Sequence, residues 1–387
     1  ALQEGQLSAA TSVYCPGYYE LADLRLGCTC GGGNTWNVYG ALAHSCNTFF
    51  STVGYDLGIS TLDPYAEYFG LGTTTGVELG EATGIMSNPQ EYRENHGVEW
   101  TDGVTSQTAI GQADNMFTPI QLAAMCATIA NGGVRLQTHF LDQITDYTGE
   151  TVLEEYEPVE LYDAGITSDV LGVVQTGMQM VATQGTAADV FANYPVSIAC
   201  KTGTAETSTP DENGNKPTEP NLSFICYAPA NDPEIAVAVM IEQGNSGNCA
   251  KNVAKDILDQ YFGFYTWDEE GNKFDQEGNQ VDDDGQVIKT AEELAEERAA
   301  AEGQQSEEAS SNSEDGDASS QEPAASPTPG RDSDIPDQIY TGENSASQET
   351  GSEDSQNDTS GTEEGSVPEA SAPPSNRPDG PYYAGDG

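Results

Sequence analysis

Residues 199–206 of the chain read Ala-Cys-Lys-Thr-Gly-Thr-Ala-Glu, and this stretch decides the fold prediction. The apolar residues 196–200 that lead into it are typical of a buried strand. Lys201 is the first lysine of the chain. A lysine at the end of a buried strand must find a partner or line a cleft, because burying an unpaired charge is costly.

The residues that follow Lys201 are suited to a ligand. Gly203 has no Cβ, so another group can approach the backbone closely there. Thr202 and Thr204 place hydroxyl groups on either side of that gap. Together these residues predict a cationic, hydroxyl-lined strand edge that fits a carboxylate. An ordinary strand end followed by a Thr/Gly turn is the alternative interpretation.

The charge of the chain limits its partners. The 387 residues include 64 acidic and 12 basic side chains, for a net charge of −52. Residues 1–263 carry 32 acids and 7 bases (net −25), and residues 264–387 carry 32 acids and 5 bases (net −27). Phosphate backbones and anionic membranes would repel both parts, so no nucleic-acid partner is expected.

Neither a membrane span nor a signal peptide is visible in the sequence. No apolar run approaches the roughly 18–20 residues that a span requires. The chain begins with Ala-Leu-Gln-Glu, without a methionine. We expect a fragment that has lost upstream sequence.

Apolar periodicity and breaker residues predict alternating helical and strand segments after an irregular region that follows the first few residues and extends to residue 37. Helices are expected at 38–57, 62–69, 119–130, 169–182 and 248–261, and strands within 134–161 and at 196–200, 223–228 and 235–241. Residues 71–117 allow no assignment. The closing order of strand, hairpin and helix favours an α+β fold, with an antiparallel sheet flanked by helices.

The domain prediction places the globular part at residues 1–263. Three seven-residue units follow, at 268–274, 275–281 and 282–288, each beginning with Asp and carrying Gly at its fourth position. We interpret them as short acidic repeats in solvated turns, rather than as calcium sites, because the EF-hand spacing is absent. With a short charged helix at 290–300 they form a segment at 264–301. Residues 302–387 are a disordered acidic tail by composition. Deleting residues 264–387 is expected to leave the melting temperature nearly unchanged.

Three of the eight cysteines, Cys15, Cys28 and Cys30, lie in a Gly- and Tyr-rich region. A disulfide from Cys15 to Cys28 or Cys30 is possible in an oxidising compartment. Zinc is the rival interpretation, but three cysteines without a CxxC pair are a weak metal signal. Disulfide or free thiols therefore rank above metal, and no metal or cofactor is predicted.

Ser45 and Asn47 are candidate partners of Lys201. A Ser and an Asn two residues apart inside a helix are not favoured by propensity. They are better explained where a helix breaks and directs both side chains to one site. An ordinary polar position on a half-exposed helix is the alternative for either residue alone.

Ser-x-Asn followed by Lys-Thr-Gly makes up two thirds of a known set of catalytic motifs. On these motifs, residues 1–263 resemble the transpeptidase domain of class B penicillin-binding proteins. Further matching segments are 13–20 (Val-Tyr-Cys-Pro-Gly-Tyr-Tyr-Glu), 41–50 (Ala-Leu-Ala-His-Ser-Cys-Asn-Thr-Phe-Phe), 69–72 (Phe-Gly-Leu-Gly), 109–113 (Ala-Ile-Gly-Gln-Ala), 118–123 (Thr-Pro-Ile-Gln-Leu-Ala) and 227–229 (Tyr-Ala-Pro). The resemblance implies the family's antiparallel sheet and helical subdomain.

The chain departs from the family pattern in two places. The family's nucleophile is a serine three residues before a lysine, and no lysine here has a serine in that position. Truncation is the simpler account, and a degenerate non-catalytic homologue is the other. The second departure is Ala113, where the family often has glycine.

The resemblance implies acyl transfer from the D-Ala-D-Ala end of a peptidoglycan stem peptide. Ser45 would relay a proton to the leaving amine, Asn47 would hold the base or the substrate amide, and Lys201 would hydrogen-bond Ser45. Thr202 and Thr204 would take the substrate carboxylate, beside Gly203, and the backbone N–H of Thr204 would contribute to the oxyanion hole.

The implied partners are stem peptides, β-lactams and the cell-wall synthesis machinery, at the extracytoplasmic face of the bacterial plasma membrane. The anchor would be an N-terminal segment absent from this chain. A serine β-lactamase or D,D-carboxypeptidase, and a penicillin-binding sensor or scaffold without turnover, are the alternative functions.

Overall fold

A computed structural model of the chain describes residues 1–22, 24–163, 165–206, 219–282 and 285–297. The strands are β1 (Val13–Cys15), β2 (Tyr18–Leu21), β3 (Leu24–Gly27), β4 (Asn34–Trp36), β5 (Val134–Leu136), β6 (Gln143–Thr145), β7 (Val152–Glu155), β8 (Glu160–Asp163), β9 (Ala199–Ala205), β10 (Asn221–Ala228), β11 (Ile235–Ile241), β12 (Tyr265–Trp267), β13 (Lys273–Asp275), β14 (Gln280–Val281) and β15 (Val287–Lys289). The helices are α1 (Val38–Ala43), α2 (Asn47–Leu57), α3 (Ile59–Tyr68), α4 (Pro89–His96), α5 (Asp102–Thr108), α6 (Pro119–Ala130), α7 (Ser168–Gln184), α8 (Ala188–Phe191) and α9 (Cys249–Tyr261).

The sheet that carries Lys201 is antiparallel, with strand order β11-β10-β9. Alternate side chains of a strand point to opposite faces of a sheet. Phe224 of β10 belongs to the core cluster that contains Leu258 of α9. Tyr227 belongs to a second cluster, with Cys126 of α6. Helices therefore cover both faces of the sheet, which confirms the predicted α+β architecture.

The predicted helix at 38–57 is two helices, α1 and α2, with a break at residues 44–46. Ser45 has a φ of 52°, in the left-handed region that side chains with a Cβ rarely adopt. The backbone N–H of Cys46 donates to the Ala41 carbonyl at 2.9 Å and closes the turn. The break anticipated from the Ser-x-Asn pair is thus present.

The prediction that the chain is irregular from its first few residues to residue 37 is wrong. β1 pairs with β4 and β2 pairs with β3, both antiparallel. Val13, Cys15 and Tyr19 are buried, so these short strands form part of a core. Strands of three or four residues between glycines are too short for an alternation pattern to reveal them.

The unassigned residues 71–117 contain α4 and α5. Their local start signals were present in the sequence, because Asn88 and Thr101 accept hydrogen bonds from backbone N–H groups of the first turn. The predicted α6 is confirmed, and Thr118 and Gln121 form a reciprocal capping box at its start. β9 begins at Ala199, three residues later than the apolar run suggested.

The acidic repeats form a four-stranded antiparallel sheet in the order β12-β13-β14-β15. Each turn is built by its aspartate: Asp268 accepts from the backbone N–H of Asn272 at 2.8 Å, and Asp275 accepts likewise from Asn279. The turns were predicted, but the sheet was not. Residues 291–297 are helical. The predicted disordered tail at 302–387 lies outside the described residues.

The small sheet packs against the preceding helix. Lys273 of β13 is 8% exposed, and its Nζ lies 4.0 Å from the carboxylate of Asp259 on α9, which is 1% exposed. Tyr194 and Lys255 also donate to Asp259, at 2.8 and 2.6 Å. This burial argues against the expectation that everything after residue 263 can be removed without loss. Within the described ranges, no helix combines the length and the apolar character that crossing a membrane requires.

Candidate active site

Lys201 and Ser45 are brought together across 156 residues of sequence. Lys201 extends from β9, and its Nζ donates to Ser45 Oγ at 2.8 Å and to the Thr202 carbonyl at 2.7 Å. The turn between α1 and α2 presents Ser45 to the strand. This contact is the one that the resemblance implied for the pair.

The Ser45 backbone is held in an unfavourable conformation. A left-handed φ costs a residue with a Cβ roughly 1–2 kcal/mol. Such strain persists only where the surroundings fix the backbone, and it is concentrated at functional sites. Hydrogen bonds from the backbone N–H groups of Ser45 and Cys46, to Leu42 and Ala41, hold this turn.

Asn47 is the first residue of α2, and its side chain anchors a second loop. Its Nδ2 donates to the Gly27 carbonyl, at the end of β3, at 2.9 Å. The amide therefore connects the Ser45 turn to the β2–β3 hairpin. In this arrangement, one donor of the Asn47 side chain is already used within the protein.

Thr202, Gly203 and Thr204 lie on β9, which is an edge strand in the described sheet. Thr202 and Thr204 are two residues apart and so share one face of the strand. The hydroxyl groups of Thr202 and Thr186 are 2.6 Å apart, while Thr204 is exposed. A Cβ on Gly203 would meet Ser223 Oγ, on the paired strand, at 2.1 Å, so glycine permits this close approach.

Lys201 supplies a positive charge that no carboxylate neutralises within the described part of the chain, where the ion pairs involve other cations. Burial of the ammonium group lowers the pKa of Lys201 to about 8. Near neutral pH the group is largely protonated, and a bound carboxylate would relieve the cost of its burial. The site can therefore hold an anion beside a serine hydroxyl.

A cluster of four cysteines lies directly behind the Ser45 turn. The Sγ atoms of Cys15, Cys28, Cys30 and Cys46 lie within 4.8 Å of one another, and all four thiols are free. The disulfide considered from sequence is not formed. The contact between the Cys28 and Cys46 sulfurs lowers the pKa of Cys28 to about 4 and raises the pKa of Cys46. These four residues could hold a metal ion.

Two residues of this region were missed by the sequence analysis. Cys46 was not grouped with the other cysteines, although it lies inside the Ser-x-Asn motif. Thr186, which contacts Thr202, precedes the short helix α8 and carries no recognisable signal.

Comparison with known proteins places the chain in a family. A model of the penicillin binding protein transpeptidase domain matches residues 1–259. Penicillin-binding protein 2A of Bacillus subtilis (strain 168) is 31% identical over 232 residues, which cover 56% of this chain and 31% of that protein. The peptidoglycan D,D-transpeptidase MrdA of Escherichia coli (strain K12) is 31% identical over 275 residues, 67% of this chain and 43% of MrdA.

Solved structures agree with this assignment. Pseudomonas aeruginosa PBP2, in complex with WCK 5153, matches with a TM-score of 0.57 and 30% identity, over 70% of this chain and 59% of that chain. The chain spans less than half the length of B. subtilis penicillin-binding protein 2A and of E. coli MrdA. With the family model covering Ser45 through Lys201 and the whole of the central sheet, this chain belongs to the penicillin-binding protein transpeptidase family.

Proposed function

We propose that the domain acts in peptidoglycan D,D-transpeptidation, as the site that recognises the D-Ala-D-Ala end of a stem peptide and its β-lactam mimics. The observation that carries the proposal is the 2.8 Å contact between Lys201 and Ser45, in a chain of this family. Lys201 is a half-buried cation with no carboxylate partner among the residues that the structure describes, and it lies beside a threonine-lined strand edge. This arrangement suits the terminal carboxylate of such a peptide.

Each residue has a role that follows from its position. Lys201 orients the hydroxyl of Ser45 and adds positive potential, so that Ser45 can pass a proton to the leaving amine. Thr202 and Thr204 bind the substrate carboxylate, beside the gap at Gly203. Asn47 keeps the Ser45 turn attached to the β2–β3 hairpin and faces the substrate amide.

The nucleophile of the reaction is proposed to come from outside these 387 residues. The family's Ser-x-x-Lys motif does not occur in the printed sequence, because none of its lysines has a serine three residues earlier. The acyl group would form on that serine and pass to an amine. By the same proposal, the domain works at the extracytoplasmic face of the plasma membrane, with other cell-wall enzymes.

The names of the relatives favour transpeptidation over hydrolysis, since E. coli MrdA is a D,D-transpeptidase. The absence of the nucleophile motif favours a second candidate for the chain alone, a penicillin-binding module without turnover. Both candidates predict recognition without acylation by these 387 residues alone, and they differ in whether the chain is acylated once it is joined to a segment that carries Ser-x-x-Lys.

Recognition is tested with a short peptide that ends in D-Ala-D-Ala, by saturation-transfer NMR on the purified 387-residue chain. We expect binding of this peptide and not of its L-Ala-L-Ala isomer. Thr204→Val should weaken binding about tenfold, because it removes a hydrogen bond to a charged group. Thr183→Val, at an exposed position on α7, is the matched control. Equal binding of both isomers would refute the proposal.

Acylation is tested with a fluorescent penicillin. We expect the chain of 387 residues to give no covalent band after denaturation, since it has no Ser-x-x-Lys nucleophile. A relative that contains the complete motif set serves as the positive control. A stable band from this chain would show that another of its residues acts as the nucleophile.

A further inference from the structure

The connection between α7 and α8, residues 185–187, touches both sides of the candidate site. The backbone N–H of Thr186 donates to the carbonyl of Ala43, the last residue of α1, at 3.0 Å. The hydroxyl oxygens of Thr186 and Thr202 are 2.6 Å apart. The connection therefore lies against the chain that leads into the Ser45 turn on one side and against β9 on the other.

Gly185 allows the connection to come this close to α1. A Cβ at this position would collide with the carbonyl of Ala43 and with the backbone of Val181, so a larger residue would push the connection away. Thr186 itself is exposed, while the next residue, Ala187, is fully buried. The Thr186 hydroxyl is thus held at the surface of the site by neighbours that are anchored on either side of it.

A buried lysine of α9 holds the carbonyl of Thr186. Lys251 is 5% exposed, and its Nζ lies 2.7 and 2.8 Å from the two carboxylate oxygens of Asp189. The same Nζ donates to the Thr186 carbonyl at 3.2 Å. An ammonium group has three N–H donors, and these three acceptors match them. Because a buried ammonium is costly unless its donors are satisfied, this ion pair fixes where the carbonyl can lie.

The hydroxyl groups of Thr186 and Thr202 share one hydrogen bond. Each hydroxyl has a single proton, so one proton lies between the two oxygens and the other can be donated to a ligand. Whichever residue donates within the pair, its partner donates outward. Lys201, which donates to the Thr202 carbonyl, adds positive charge beside this outward donor. The pair therefore suits a carboxylate oxygen.

We propose that Thr186 belongs to the carboxylate-binding site, as the partner of Thr202 in a single donor unit, and that Lys251 is the positioning residue that holds it there. This inference rests on the proposed function in one respect, since it takes the carboxylate to be that of a substrate peptide. The donor unit itself can be tested with any small carboxylate. Binding forms hydrogen bonds only, and no covalent bond changes.

The first test follows the threonine methyl groups of the 387-residue chain by NMR during a titration with acetate, at constant ionic strength. We expect saturable shifts at Thr186, Thr202 and Thr204, and none with acetamide, the neutral isostere of acetate. Thr183, exposed on α7, is the reference methyl group. Shifts at Thr202 and Thr204 without one at Thr186 would exclude Thr186 from the site. The absence of any saturable shift would overturn the carboxylate site itself.

The second test asks whether the two hydroxyl groups act as one unit. Thr186→Val and Thr202→Val keep the shape of the side chain, and each should weaken acetate binding about fivefold, because each removes the outward proton or the group that orients it. The double variant should bind no more weakly than either single variant. Thr183→Val is the matched control, with unchanged affinity. Losses that multiply in the double variant would overturn the single unit, and unchanged binding by Thr186→Val would overturn the role of Thr186.

The third test concerns Lys251. Lys251→Met keeps most of the side-chain length and removes the donor to the Thr186 carbonyl. Lys255→Met is the matched control, because it removes an ion-paired ammonium from the same helix, where the partner is Asp259. Both variants should lower the free energy of unfolding, but only Lys251→Met should weaken acetate binding, by about fivefold. Equal acetate affinity in the two variants would leave Lys251 a structural role alone.

A second variant covers the case in which Lys251→Met does not fold. Asp189 is half-exposed, so Asp189→Asn tolerates solvent while it removes the charge that anchors Lys251. This variant should move the Thr186 methyl resonance and weaken acetate binding in the same direction. An unchanged resonance together with unchanged affinity would overturn the positioning role of Lys251.

The D-Ala-D-Ala peptide separates this inference from the proposed function. If acetate gives the expected shifts and the peptide does not bind, the donor unit stands and the proposed function fails. If the peptide binds in preference to its L-Ala-L-Ala isomer and Thr186→Val binds it equally well, the proposed function stands and the inference fails.

Discussion

Lys201 is the residue on which the site depends. The protonation of its side chain should change the free energy of unfolding with pH. Burial lowers its pKa from 10.5 to about 8 in the folded protein. Between these two values the unfolded state binds more protons than the folded state, so this residue's contribution to stability rises with pH. At pH 7, by contrast, the buried ammonium costs stability.

Urea unfolding of the unmodified chain and of Lys201→Met, between pH 7.5 and 10, tests this expectation. The free energy of unfolding of the unmodified chain should gain on the order of 2 kcal/mol relative to the variant across that range. The difference between the two proteins isolates Lys201 from the other groups that titrate there. Parallel pH curves would show that Lys201 keeps an ordinary pKa.

Ala113 is the second residue with a specific expectation. It has a φ of 61° and is exposed, so its backbone lies in the left-handed region where glycine is favoured. Ala113→Gly should stabilise the chain by about 1 kcal/mol, because the Cβ strain is removed. Ala66→Gly, inside α3, should instead destabilise it by about 1 kcal/mol. Thermal or urea unfolding measures both, and a loss of stability in Ala113→Gly would contradict the argument.

At the scale of the element, β9 and β10 place Gly203 directly opposite Ser223. A methyl group on Gly203 would meet Ser223 Oγ at 2.1 Å, so one of the two side chains must move. Gly203→Ala should therefore destabilise the sheet by roughly 1–3 kcal/mol.

The double variant Gly203→Ala/Ser223→Ala should recover most of that loss, because the clashing hydroxyl is gone. Ser223→Ala alone is the control that completes the cycle. Additive effects in urea unfolding would show that Gly203 is required for another reason, such as its backbone conformation.

At the scale of the whole molecule, the question is where the folded part ends. Strands β12 to β15 form a small sheet, and Lys273 of β13 is buried near Asp259 of α9. A chain that ends at residue 263 should melt several degrees lower, about 5 °C, since Asp259 loses a buried cation. A chain that ends at residue 291 should melt within about 1 °C of the full chain, because the removed acidic segment is poor in core-forming residues.

Calorimetry of the three chains distinguishes these cases. Equal melting temperatures for all three would restore the expectation, drawn from the sequence, that nothing after residue 263 packs. A large loss in the chain ending at 291 would instead show that residues 292–387 contribute to the fold.

The amino-acid sequence was sufficient to predict the family, the α+β architecture and the pairing of Ser45 with Lys201. Those features rest on local signals: the Ser-x-Asn and Lys-Thr-Gly motifs, the apolar strands β10 and β11, and the capping residues of α6. Local signals can be read because their physical causes lie within a few neighbouring residues.

The cysteine cluster, the short strands β1–β4 and the packing of β13 on α9 emerged only from the tertiary structure. Cys46 joins Cys15, Cys28 and Cys30 because two loops and a broken helix converge, and no spacing in the sequence encodes that convergence. Lys273 is one of several charged residues in an acidic repeat until Asp259 is placed beside it. Long-range contacts of this kind depend on how elements pack, and packing is a property of the whole fold.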